Sequence, residues 1–152
     1  MLLTVDIGNT NITFGVFEGK RLITTFRMNT IQTRTSDEYG MVMCELLEHN
    51  QVPVATISDV IIASVVPNVM YSLTSAIIKY FHTRPIIIET GIKTGIRVVS
   101  KNPRQVGADR IVDAAAAYEL YGGPAIVVDY GTATTFDLID ADGAFTACVI
   151  AA

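Results

Sequence analysis

Apolar and polar positions along the chain fall into short blocks separated by turn residues. Leu2 to Ile7 is an apolar run closed by Gly8-Asn9, and Asn11 to Phe17 resumes with β-branched and aromatic residues before a second turn at Glu18-Gly19-Lys20. Arg21 to Met28 alternates, so the pattern predicts three strands, the first two joined as a hairpin. After Thr35-Ser36-Asp37-Glu38, apolar residues recur at Tyr39, Val42, Met43, Leu46 and Leu47. A hydroxyl residue ahead of acids at that spacing predicts a capped amphipathic helix ending near His49-Asn50. Asp59 to Val66 reads as a strand buried on both faces, Pro67 opens a helix carrying Leu73, Ile77, Ile78 and Phe81, and Pro85 to Glu89 reads as a short buried strand.

A Gly-containing stretch from Gly91 to Asn102 leads to Pro103 and an Ala-rich helix running to about Tyr121, which Gly122-Gly123-Pro124 stops. Strands over Ala125 to Val128 and Thr134 to Ile139 then flank Asp129-Tyr130-Gly131-Thr132-Ala133, with a turn at Asp140 to Gly143. A meander of three strands followed by alternating helices and strands is the element order of the α/β ribonuclease-H-like fold of actin-like ATPases and of the acetate and sugar kinases. That step is an analogy of fold. It divides the chain into a first lobe with its crossover helix over 1–121 and the start of a second, incomplete lobe over 122–152.

Composition narrows the function classes. Half of the 152 residues are apolar and 17% are charged, as in a globular chain. The net charge of -4, from 15 acids against 11 Lys and Arg, argues against a nucleic-acid surface. Cys44 and Cys148 form no metal-binding pair and read as small buried hydrophobes. No leader-like segment opens the chain and no apolar run approaches about 18 residues, so a cytoplasmic protein without a membrane partner is expected. No G-x-x-x-x-G-K-[ST] or G-x-G-x-x-G motif occurs, and neither His49 nor His82 lies in a hydrolase or deaminase motif.

The candidate chemistry lies in an internal echo. Moving the chain along by 123 positions lays Thr4-Val5-Asp6-Ile7-Gly8 on Val127-Val128-Asp129-Tyr130-Gly131, and Val16 on Ile139. A tight Gly-containing turn between strands turns backbone N–H groups and Thr or Asn side chains into a concavity that suits phosphate oxygens. An Asp at its first position can hold a hydrated divalent cation. Two such loops could grip one polyphosphate, which is the positioning that phosphoryl transfer requires. Read as bare hairpin turns, the same residues carry no chemistry.

Gly107-Ala108-Asp109-Arg110 lies near the start of the Ala-rich helix, where free N–H groups favour an anion. Two readings stand for it. Asp109 either accepts a hydroxyl proton beside an Arg110 that binds a carboxylate or phosphate, or it caps the helix beside a solvated Arg110.

Asp6-Ile7-Gly8-Asn9-Thr10-Asn11, Asn102-Pro103-Arg104-Gln105-Val106-Gly107-Ala108-Asp109-Arg110 and Asp129-Tyr130-Gly131-Thr132-Ala133-Thr134-Thr135 together closely resemble type III pantothenate kinase, the Bvg accessory factor family. The motifs stand in the family's order and spacing, and the resemblance extends to about Ile150. It implies ATP-dependent phosphorylation of the pantothenate hydroxyl, the first step of coenzyme A synthesis, in a homodimer requiring a monovalent cation, potassium or ammonium, besides magnesium. It makes Asp6, Ile7, Gly8, Asn9, Thr10, Asn11, Ile12 and Thr13 the first ATP loop, with Asp6 reaching magnesium through water, and Thr132 the second ATP contact. Gly107, Ala108, Asp109 and Arg110 become the substrate loop, Asp109 the proton acceptor and Asp129 the potassium ligand. Ser100 replaces a Tyr that often encloses pantothenate, and Ala147-Cys148 replaces a Gly-containing continuation. Family members are longer, so the resemblance implies an N-terminal portion lacking the adenine pocket. An inactive nucleotide-binding or regulatory remnant and a polyphosphate phosphatase of the same superfamily are the competing readings.

Overall fold

The computed structural model describes residues 1–89, 91–99 and 103–151, without the Arg104 side chain. Ser100, whose place in a substrate pocket the sequence raises, lies outside them. The chain forms two compact units, Met1–Ile88 and Glu89–Ala152.

The first unit is one sheet and two helices. Strands β1 (Leu2–Ile7), β2 (Asn11–Glu18) and β3 (Arg21–Asn29) form the expected antiparallel meander, and β4 (Asp59–Ser64) and β5 (Ile86–Ile87) extend it in parallel, giving the order β3-β2-β1-β4-β5. Alternation sends Leu3, Val5 and Ile7 of β1 and Ile12, Phe14 and Val16 of β2 into the core. There they meet Tyr39, Met43 and Leu47 of α1 (Ser36–His49) and Val69, Leu73, Ala76 and Ile77 of α2 (Pro67–Phe81). Thr35 and Glu38 close the expected capping box, and Pro67 opens α2. Ile78, placed by its spacing among the apolar positions of α2, stands on the outer side and is exposed. The helices approach closely at Gly40, where a Cβ would run into the Tyr80 ring.

In the second unit α3 (Ala108–Tyr121) packs on β7 (Ala125–Tyr130) and β8 (Thr134–Ile139), within a sheet of order β6-β9-β8-β7. Strand β6 (Arg97–Val98) lies in the stretch that the sequence left without structure. It is defined only by parallel pairing with the start of β9 (Ala144–Ala151), a partner far along the chain. The helix begins at Ala108, because Pro103–Gln105 is a separate 3-10 turn. Cys148 is exposed rather than buried, and among the described residues β6 pairs with β9 at Ala144 and Phe145 and not beside Cys148.

The echo between the units is real in register but differs by one residue. Asp6 pairs with Thr13 and Val5 with Phe14, while Asp129 pairs with Thr135 and Val128 with Phe136. The second turn therefore spans one residue fewer between its closing pairs, and Val16 corresponds to Leu138, not Ile139. This correspondence exposes an asymmetry. Ile126, Val128, Tyr130, Phe136 and Leu138 occupy the positions of Leu3, Val5, Ile7, Phe14 and Val16, yet all five are exposed, Ile126 by 66%. The face that α1 and α2 cover in the first unit has no cover in the second, among the described residues. Contiguous apolar surface of this kind marks a face built for a partner element. No helix among the described residues is long and apolar enough to cross a membrane.

The tie between α1 and α2 generates a pH prediction. Asp37 accepts from Lys79 Nζ at 2.6 Å and from Tyr80 Oη at 2.8 Å. Those bonds hold its carboxyl below the usual carboxylate range, the Lys79 bond contributing most. A carboxyl depressed in the folded state contributes stability above its unfolded pKa and loses it as pH falls through the folded value. Both partners are solvent-exposed, so the contribution is small. Urea midpoints measured from pH 7 down to pH 3 should fall less steeply for Asp37→Asn than for the wild type. Equal slopes would show that the tie contributes nothing.

Candidate functional site

In the first unit the candidate loop is the connection from β1 to β2. Gly8 N donates to Asn11 O at 3.0 Å, closing the turn. Two bonds from Thr30 hold it from outside, Oγ1 to Gly8 O at 2.7 Å and N to Thr10 O at 2.9 Å. Asp6, Asn9, Thr10 and Thr13 are exposed, and Asn11 is half-buried. Ile7 and Ile12 are fully buried. Their side chains belong to the core, and only their backbone can serve a ligand. The turn is tight, since a Cβ on Gly8 would stand 3.2 Å from Asn11 O.

The second unit carries the other sequence-predicted residues. Asp129 sits inside β7 rather than in the turn after it, is exposed, and pairs in register with Thr135. Gly131 N donates to Ala133 O at 3.2 Å, and Thr132 is exposed at the tip. This turn has more room, because a Cβ on Gly131 would meet Asp129 Oδ2 at an ordinary 3.4 Å.

At the start of α3 the two readings of Asp109 separate. The cap position is Gly107, which has no side chain to offer, so Asp109 is not the cap. Asp109 lies in the first turn, half-buried, with Oδ1 accepting the backbone N–H of Arg110 at 2.8 Å. Arg110 is not a solvated neighbour either. It is buried against Asp137, with Nη2 at 2.8 Å from Oδ1 and Nε donating to Oδ2 at 3.3 Å.

Asp137 is the residue that sequence reading missed. Its signal was available: Asp137 shares a face of β8 with buried Ile139, and an acid on a buried face requires a cation beside it. Burial pushes its carboxyl up, Arg110 opposes that shift, and the charges of Asp109 and Asp129 add to it. Three acids and one arginine therefore share one field in this unit.

Among the described residues no three His, Cys, Asp or Glu cluster as a metal cage. A single exposed carboxylate per loop is instead the donor set of hard cations that keep water and share ligand phosphates. Asp6 and Asp129 fit magnesium and a monovalent cation in that limited sense.

Paired strand-turn-strand loops on α/β units define the class as a ribonuclease-H-like, actin-like kinase fold. Solved structures agree. A protein assigned as 2-dehydro-3-deoxygalactonokinase from Sinorhizobium meliloti matches with a TM-score of 0.56 at 11% identity, over 99% of this chain and 53% of that one. A protein assigned as N-acetylglucosamine kinase from Porphyromonas gingivalis matches with 0.55 at 18% identity, over 98% of this chain and 47% of that one. Within this class the chain belongs to the type III pantothenate kinase family, whose sequence profile matches residues 2–152. It is 62% identical over 145 residues to the type III pantothenate kinase of Agathobacter rectalis, covering 95% of this chain and 56% of that relative. The chain thus spans little more than half the length of that relative.

The difference between the two turns predicts a difference between their glycines. Gly8→Ala pushes against the Asn11 carbonyl that closes the first turn, whereas Gly131→Ala meets only ordinary contacts. Urea midpoints should fall for Gly8→Ala and stay at the wild-type value for Gly131→Ala. The reverse order would contradict the geometry.

Proposed function

We propose that the protein phosphorylates pantothenate with ATP, giving 4′-phosphopantothenate for coenzyme A synthesis. Family membership together with a half-buried Asp109 in the first turn of α3 carries this reading. The Asp109 carboxylate takes the proton of the substrate hydroxyl while its oxygen attacks the γ-phosphorus of ATP. The new O–P bond forms as the bond to the bridging oxygen breaks, and ADP leaves with that electron pair. Backbone N–H groups and hydroxyl or amide side chains of Gly8 to Thr13 and of Thr132 hold the phosphates, and Arg110 takes an anionic group of the substrate.

Asp6 through water and Asp129 directly would hold magnesium and potassium, or ammonium in its place. Bound there, these cations neutralise phosphate charge. A homodimer in the cytoplasm belongs to the same proposal. So does a cover for the open apolar face of the second unit, supplied by the length of chain that the longer relatives have.

Phosphopantothenate formation should be assayed with ATP, magnesium and potassium, using the chain alone and the chain continued by the C-terminal portion of the Agathobacter rectalis relative. Product from either supports the proposal, and none from both overturns it. In the active form Asp109→Asn should lower kcat by about 100-fold or more, the usual contribution of a positioned general base. A kcat within a few-fold of wild type would remove Asp109 from that role.

A further inference from the structure

The Arg110–Asp137 pair asks for an explanation that stability does not provide. Arg110 is 8% exposed and Asp137 2%. Taking two charges out of water costs about as much as their attraction returns, and apolar pairs of similar volume often serve a fold as well or better. What the pair does supply is direction. A guanidinium is a rigid planar fork, so fixing one edge fixes the other.

One edge is fixed here. Nε donates to Asp137 Oδ2 at 3.3 Å, Nη2 stands 2.8 Å from Oδ1, and Nη2 also donates to Val149 O at 3.2 Å. The Nη2 contact with Oδ1 is close but off-line, so Oδ1 takes no aligned hydrogen bond among the described residues. Nη1, the remaining nitrogen, donates to none of the described residues. The same arginine gives its backbone N–H to Asp109 Oδ1.

We propose that Asp137 is a positioning residue: it clamps Arg110 by Nε and Nη2 so that Nη1 is left to take the anionic group of the substrate. This rests on the kinase reading above and deepens it. A residue acting through Arg110 on a group that does not react changes binding of ground and transition states alike, which appears in KM and not in kcat.

Asp137→Asn keeps the size and removes the charge, and Asp137→Glu keeps the charge and displaces it. Both should raise the KM for pantothenate about tenfold, the loss expected from one hydrogen bond to a charged group. The kcat and the KM for ATP should stay within about threefold of wild type, the range of a neutral change. A purely structural role would instead lower thermal stability and the active fraction with KM unchanged, and that result overturns the proposal. The clamp is also read without turnover, from hydrogen exchange of the Arg110 Nε–H by NMR, which should be slow in the wild type and faster in Asp137→Asn. If the wild type makes no phosphopantothenate, the kinase reading fails and the clamp is decided by this exchange alone. Equal exchange in wild type and Asp137→Asn overturns it.

Discussion

A charge buried in a protein must find its counter-charge, and that requirement organises the second unit. Arg110 in the first turn of α3 and Asp137 in the middle of β8 are 27 positions apart, and neither can be buried without the other. Their pairing ties the first turn of α3 to β8. Val106, Ile111, Ala114, Ile139 and Phe145 form the small apolar cluster around that arrangement.

The first unit shows the same motif with its inner face covered. There the inner face of the β1–β2 hairpin is sealed by α1 and α2, which a capping box and a proline-started turn make locally stable. The second hairpin repeats the register and leaves the equivalent face open. The asymmetry accords with a chain spanning little more than half the length of its longer relative.

Much of this was legible in the sequence because it is local. The first meander, the Thr35 cap, the Pro67 start and the two loops at Asp6 and Asp129 follow from alternation and turn residues within a few positions. Other features escaped because their cause is distant. Two residues of β6 become a strand only through β9, and α3 starts later than Pro103 suggests because Pro103–Gln105 turns separately. The one-residue difference between the turns is invisible until strands are paired. Asp137 looked like one more polar residue in Thr134-Thr135-Phe136-Asp137, and neither reading of Arg110 named it as a partner, until the face of β8 brought the two together. The motifs named candidate positions, while the buried partner of Arg110 lay outside every motif.

The central proposal is that each phosphate loop binds ATP and that the start of α3 binds pantothenate. Backbone hydrogen exchange read by mass spectrometry, with ATP, with pantothenate and with neither, tests it directly. ATP should slow exchange in the peptides carrying Gly8 to Asn11 and Gly131 to Ala133 together, and pantothenate should slow it at Gly107 to Arg110. Protection by ATP at one loop only, or pantothenate protection elsewhere than the start of α3, would contradict the account.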